Sequence, residues 1–401
     1  MHQTRNNAKT YILLAAIYLS FIALGLPDGA LGLAWPILRT EMGMPLEAIS
    51  ILSIVSSVFY VTVSSQNGRI SRYIGSDKMN LIGVFMLAAG YIIFSFAPNF
   101  TVLAVLTAFL GTGAGLIDTS LNDYVSRHFS ARHMNWLHCF WGMGAAISPI
   151  IMAQMIMSDS WRAGYFAIAS MQAVIVILVA ASVAKGIWIR ETGTVEDTAE
   201  NKKENTPRRY LAAHRYGFLQ MLAFFLLVGF ETVPLWISSI LIESRGLSVG
   251  VVGIFPAAYF ACIMIGRLIF GFIAAKLGNM IIMRAGIAMA AVGIVILAFS
   301  NSVIGIVLVG LGAAPMFPCL MHESSNRFAP EALSKLVGYQ MAAAGAGGAT
   351  FVLIIGQILS RISLEALFPV VLVLAVLVAL INEILEWKLR KSVLLHYNNL
   401  T

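Results

Sequence analysis

The chain has 401 residues, of which 59% are hydrophobic and 11% charged, and its net charge is +7. A soluble domain carries roughly 25% charged residues, so the composition excludes an ordinary water-soluble fold and describes a chain that crosses a bilayer repeatedly. A nucleic-acid surface is excluded as well, because Lys and Arg are dispersed along the edges of apolar runs instead of clustering on one soluble face.

Apolar runs of about 20 residues, each enough for a hydrocarbon core of about 30 Å, predict twelve helical spans. They fall at 11–38, 46–71, 78–97, 101–124, 135–157, 163–189, 215–242, 248–275, 280–300, 302–323, 334–359 and 364–387. The first lacks a small-residue cleavage pattern behind a short apolar core, so it is expected to be a retained helix and not a signal peptide. It carries "GLPDGALGLAWPILR", 25–39, with Asp28 near mid-membrane. A carboxylate there costs about 2.5–3.5 kcal/mol even on lenient insertion scales, so it normally faces a cavity.

After the second span comes the loop "GRISRYIGSDK", Gly68 to Lys78. The fourth span reads "GTGAGLIDTSLNDYVSRH", 111–128, and four-residue spacing puts Asp118 and Asn122 on one helix face. Asp123 turns away from that face as a helix-end charge. The fifth span opens "MNWLHCFWGMGAAISP", 134–149, which sets His138 at a depth comparable with Asn122 and Trp141 one turn further in. A cluster of Asp118, Asn122 and His138 is expected on one side of a central cavity. Glu191 to His214 is rich in charge and nearly free of large apolar residues, so it reads as a linker. Beyond it, Glu231 beside Pro234 sits at mid-span, and Arg267 lies five residues before the loop "GFIAAKLGN", 271–279, as an expected gate or snorkelling residue. Gln154, Gln340, Gln357 and Asn382 fall within spans, where the first three are candidate solute ligands, although each residue alone reads more readily as a helix-to-helix hydrogen bond. Trp35 and Trp236 read as interfacial belt residues. Cys139, Cys262 and Cys319 lie inside spans at no paired spacing, which predicts neither disulfide nor metal site.

Lys and Arg concentrate in cytoplasmic loops. With the N-terminus inside, the inner loops and tails hold twenty such residues and the outer loops hold four, Arg39, Arg162, Arg245 and Arg361. Both termini are therefore expected in the cytoplasm. Sliding the second half onto the first by 203 positions lands Gly43, Gly68, Gly75, Gly83, Gly90, Gly142 and Gly144 on Gly246, Gly271, Gly278, Gly286, Gly293, Gly345 and Gly347, and Asp28 on Glu231. The fourth and tenth spans need a shift shorter by four, which sets Gly111 on Gly310 and Gly113 on Gly312. The expected division is a six-helix unit at 1–190, a cytoplasmic linker at 191–214 and a second six-helix unit at 215–401.

Two parallel six-span repeats joined by a cytoplasmic linker resemble the major facilitator superfamily. The loop from Gly68 to Lys78 is similar to that superfamily's G-x-L-A-D-R-x-G-R-[KR] motif, with Gly68, Gly75 and Asp77 as gating positions and Arg72 standing where the family usually has an acid. The stretches at 25–39, 111–122 and 134–149 resemble the fucose:proton symporter family. That resemblance is dense through the fifth span and thinner afterwards. It implies an all-α integral membrane protein that moves a monosaccharide with protons by alternating access, using carboxylates at Asp28 and Asp118, with Glu231 as the repeat-related third.

The expected partners are a small polar solute and the lipid bilayer, with H⁺ as coupling ion, Na⁺ as the alternative, and no other cofactor. The expected setting is the bacterial cytoplasmic membrane, as a monomer. A proton-coupled efflux antiporter or a lipid flippase is the alternative; against the antiporter, the place where drug antiporters carry G-P-x-x-G-G reads "SPIIMA", 148–153. An enzyme is not expected, for the chain holds no nucleophile–base pair, phosphate loop or metal spacing.

Overall fold

The computed structural model describes residues 2–129, 131–188 and 210–397. Of the expected linker, residues 191–209 lie outside them. Twelve helices among the described residues are long and apolar enough to cross a membrane: Lys9–Glu41, Leu46–Ser65, Ser76–Ser95, Phe100–His128, Arg132–Ser158, Trp161–Ala184, Ala213–Ser244, Val249–Phe270, Asn279–Phe299, Val303–Arg327, Lys335–Arg361 and Leu364–Lys391. The described residues contain no strand, only an isolated backbone bridge between Leu211 and Phe328. Both described ends of the chain lie at one end of the bundle, here the basic end; the loops after the odd-numbered spans form the far end.

Several boundaries differ from the sequence expectation. The second span stops at Ser65, and its polar continuation forms a separate short helix, Asn67–Ile74. The seventh span is interrupted: one helix ends at Phe230 and the next runs Val233–Ser239. Pro234 explains the break, since it has no N–H to donate and its ring clashes with the carbonyl four residues back. The tenth span divides in the same way at Ala314–Pro315, into Val303–Ala313 and Met316–Arg327. Pro27 and Pro36, in contrast, are carried within an uninterrupted first helix.

The 203-residue shift reappears in the backbone. Gly43 and Gly246 have φ of 64° and 67°, and Gly75 and Gly278 have 82° and 81°, a left-handed region open to glycine at little cost. Helix caps repeat too. The side chains of Asn99 and Ser302 accept from backbone N–H groups at the starts of the fourth and tenth spans, and Ser160 and Ser363 do so before the sixth and twelfth. In lipid no hydrophobic force presses helices together, so close packing over small residues has to hold them. A Cβ on Gly144 would lie 2.3 Å from the Ile22 carbonyl oxygen, and one on its repeat mate Gly347 would lie 2.5 Å from that of Phe225, the mate of Ile22. Gly111 meets Ser56 O and Gly310 meets Tyr259 O in the same paired fashion, at 2.2 and 2.7 Å.

Large apolar side chains on the outside, among them Val105, Ile177, Val292 and Val373, are exposed and form the surface presented to lipid. Between the halves, the tightest contacts lie at the far end. A Cβ on Gly32 of the first span would lie 2.8 Å from the Pro234 and Leu235 carbonyl oxygens, and Gly253 backs onto Ala153. Arg39 and Glu243 form an ion pair across the two halves there, with Arg39 Nε donating to Glu243 Oε1 at 3.1 Å and a second, shorter contact through Nη2.

Candidate functional site

A cavity of about 920 Å³ lies between the halves. Its wall reaches Asn279 and His322 at the basic end and is closed by the helix contacts at the far end. Three carboxylates face it, Asp28 and Asp118 from the first six spans and Glu231 from the seventh.

Asp28 is exposed to the cavity, and Trp141 Nε1 donates to its Oδ2 at 2.8 Å. The glycines around it serve packing: a Cβ on Gly25 or Gly29 would lie 2.1 Å from the carbonyl oxygen of Trp141 or Ala145. The first and fifth helices therefore touch backbone to backbone, which brings the indole to the carboxylate. The helix runs unbroken through Pro27 to Gly29.

Asp118 is held from two sides. The Tyr60 hydroxyl, from the second span, donates to Oδ2, and Asn122 Nδ2 donates to Oδ1 at 2.8 Å and to the Asp118 carbonyl at 2.9 Å. Asn122 is thus spent on orienting Asp118 and is not among the residues lining the cavity, contrary to its expected place beside the solute. His138 does line the cavity, edge-on to Phe21 with ring centroids 5.8 Å apart. Asp123 bonds Arg127 one turn on, as a helix-end charge does.

Glu231 occupies the break in the seventh span, as the residue that caps the helix ending at Phe230. Its Oε1 is buried without a hydrogen-bond partner. Arg267 faces the same cavity, with its guanidinium carbon 5.7 Å from the centroid of the Trp141 ring and its Nε likewise unpartnered. This corrects the expectation of a snorkelling residue, because the cavity extends along the eighth helix and Arg267 projects into it, against Trp141 of the other half.

The three glutamines lie elsewhere. Gln154 is exposed in the fifth span, Gln357 is half-buried in the eleventh, and neither lines the cavity. Gln340 is fully buried and donates to Ser324 Oγ at 2.9 Å. It belongs to a polar cluster around Arg327, which is also fully buried and donates to Gln220 and Asn382 at 2.8 and 3.0 Å. Arg327 is therefore an interior group and not the loop charge its position implies. Trp35 and Trp236 are also fully buried, not belt residues; Trp35 Nε1 donates to the Leu46 carbonyl at 2.9 Å.

Of the motif loop, Gly75 has the positive φ that a tight turn requires, and Asp77 folds back so that its Oδ1 lies 2.6 Å from where a Gly75 Cβ would be. Arg72 is exposed and no ion pair joins it to Asp77 among the described residues. Gly68 has open space around its Cβ position.

Sequence reasoning missed Tyr60, Ser56 and Ser57 of the second span, the aromatic wall of Phe270 and Phe317, and the mouth. At the mouth Asn279 Nδ2 donates to Glu323 Oε1 at 2.9 Å and lies 2.9 Å from His322 Nδ1. For Tyr60 a signal existed, since a phenol at mid-span must find an acceptor. Among the described residues no group of three or more His, Cys, Asp or Glu is arranged to hold a metal ion.

In sequence, the chain is similar to the "Glucose/mannose transporter GlcP" of Bacillus subtilis (strain 168), with 22% identity over 371 residues that cover 86% of this chain and 87% of that protein. In structure, it is similar to the nucleoside transporter NupG in a point-mutant form, with a TM-score of 0.74, 11% identity and coverage of 93% of this chain and 99% of that one. The peptide transporter POT in complex with sulfate superposes with a TM-score of 0.73, 13% identity and 94% coverage of both chains. At these identities the structural likeness establishes the twelve-helix fold alone. A family model described as Major Facilitator Superfamily matches residues 17–248 and again 217–393, and the chain belongs to that superfamily of membrane transporters.

Proposed function

We propose that the protein is a proton-coupled symporter of a monosaccharide. The observation that carries this reading is the cavity itself, where carboxylates from both halves stand beside Trp141, Phe21, Phe270 and Phe317. Sugar hydroxyls need paired donors and acceptors while the C–H faces pack on rings, and this wall offers both. The name of the glucose/mannose relative supports the same solute class.

Coupling follows from desolvation. Closing the basic end over ionised Asp28 and Asp118 would bury charge, which is costly. Protonation removes that cost, and a bound solute takes the place of water, so the solute-bound carrier closes only when protonated, whereas the empty carrier keeps water on its ionised carboxylates and returns without the proton. The indole on Asp28, and the phenol and amide on Asp118, hold each carboxyl in place through the cycle. In this proposal the basic end lies in the bacterial cytoplasm, and one chain is the working unit.

Proteoliposomes containing a pH indicator test the proposal. Glucose or mannose added outside should drive protons inward with wild-type protein and not with Asp28→Asn, which remains able to bind and exchange the sugar. Sugar uptake without proton movement would overturn the coupling, and failure to bind any hexose would overturn the solute class.

A further inference from the structure

The two halves present acids at repeat-related depths, Asp28 and Glu231, yet their surroundings differ. Glu231 has a cation facing the same cavity, Arg267. The position matching Arg267 in the first half is Ser64, so Asp28 has no such neighbour and is satisfied by the Trp141 indole instead. A cation and an acid that face one cavity can close an ion pair. Here none forms, and each partner keeps an orphaned buried atom, Oε1 on Glu231 and Nε on Arg267. The gap has identifiable causes. Glu231 is fixed at the helix break imposed by Pro234, and Arg267 is drawn toward the face of Trp141.

We infer that Glu231 and Arg267 form a hydroxyl-reading subsite, in which one solute hydroxyl donates to the Glu231 carboxylate and accepts from the Arg267 guanidinium where the two side chains face the cavity. A hydroxyl does both through a single atom. A cationic group is opposed by Arg267 and an anionic group by Glu231, so the pair selects a neutral, hydroxyl-bearing solute. The inference deepens the sugar reading above and rests on it. It also divides labour between the halves: Glu231 holds the solute, and the proton falls to Asp28 and Asp118.

The test measures binding of glucose and its monodeoxy and monofluoro analogues to the purified full-length protein. Hydrogen bonds to charged groups are worth enough to set affinities apart by about ten- to hundredfold. One deoxy analogue should lose that factor against wild type, and its fluoro counterpart, which cannot donate, should lose most of it. In Glu231→Gln and in Arg267→Lys that same ratio should shrink to about threefold or less while ratios at the other positions hold. Variants that weaken all analogues equally, or that keep the wild-type ratio, overturn the subsite. The wild-type series is decisive without any variant: if glucose binds and every deoxy analogue binds within about threefold of it, only this inference fails. If wild type binds no hexose, the sugar reading fails and this one with it.

Discussion

Replacing Gly144 by Ala adds one methyl group where two helices meet backbone to backbone. The new Cβ would sit 2.3 Å from the Ile22 carbonyl oxygen and 3.0 Å from the Leu26 nitrogen, neither of which can swing aside as a side-chain tip would. Ordinary contact requires the first and fifth helices to part by about 1 Å, and a gap of that size forfeits a quarter to half of the attraction between the surfaces involved. Gly25 and Gly29 belong to the same interface, so their contacts open with it. Overpacking of this kind costs about 1–3 kcal/mol, and the upper half of that range is expected here. Gly347→Ala should cost a similar amount, because its Cβ would lie 2.5 Å from the Phe225 carbonyl oxygen. Gly68→Ala is the control: it lies in a helix with nothing within 4 Å of its Cβ, so stability should hold or rise by up to about 1 kcal/mol. Equilibrium unfolding in mixed micelles, followed by tryptophan fluorescence, measures all three. A Gly144→Ala protein within about 0.5 kcal/mol of wild type, or a Gly68→Ala protein as unstable as Gly144→Ala, would refute the packing argument.

Asp118→Asn keeps the shape and the partners of the side chain but not its titration, so accumulation driven by a pH gradient should vanish while sugar exchange partly survives; intact accumulation would remove Asp118 from coupling. Glu243→Gln should weaken the clasp on Arg39 by about 1 kcal/mol, speeding labelling of the cavity from the far end about fivefold. The double reversal Arg39→Glu with Glu243→Arg should restore the wild-type rate, and an unchanged rate in Glu243→Gln would mean that the pair does not hold the far end closed. With the native cysteines replaced, Ser302→Cys at the far end should react with an impermeant maleimide in intact cells; protection there, with labelling only after lysis, would invert the proposed orientation.

The helices and their pairing were legible because bilayer thickness fixes run length, and because tight turns and close crossings both demand glycine. The spacing that sets Gly43 on Gly246 and Gly75 on Gly278 returns as matched positive φ angles. The breaks in the seventh and tenth spans were not read, although Pro234 and Pro315 mark them. Within the site, sequence gave depth but not the direction in which a residue faces. A polar side chain inside a bilayer avoids lipid whatever its task, so Gln340 bonding Ser324 and a glutamine bonding a solute look alike. Arg327 shows the limit from another side: its partners Gln220 and Asn382 come from distant helices, and nothing local distinguishes it from a charge at the membrane edge. Arg267 lies near a loop in sequence yet faces the cavity, because the cavity extends along the eighth helix.

The far-end clamps within each half bear on how such chains are compared. In the first half Arg162, at the head of the sixth span, grips Glu41 and donates to the Ala97 carbonyl at 3.1 Å. In the second half the residue matching Arg162 is Glu365 and the one matching Glu41 is Ser244, yet Arg245 beside that serine grips Glu365 and donates to the carbonyl of Ser300, the match of Ala97, also at 3.1 Å. The guanidinium occupies the same place in both halves but is supplied from opposite helices. The two halves hold the same interaction with the positions that make it exchanged, so aligned columns at these sites would score as divergent, and a search for shared residues would discard a feature that both copies have.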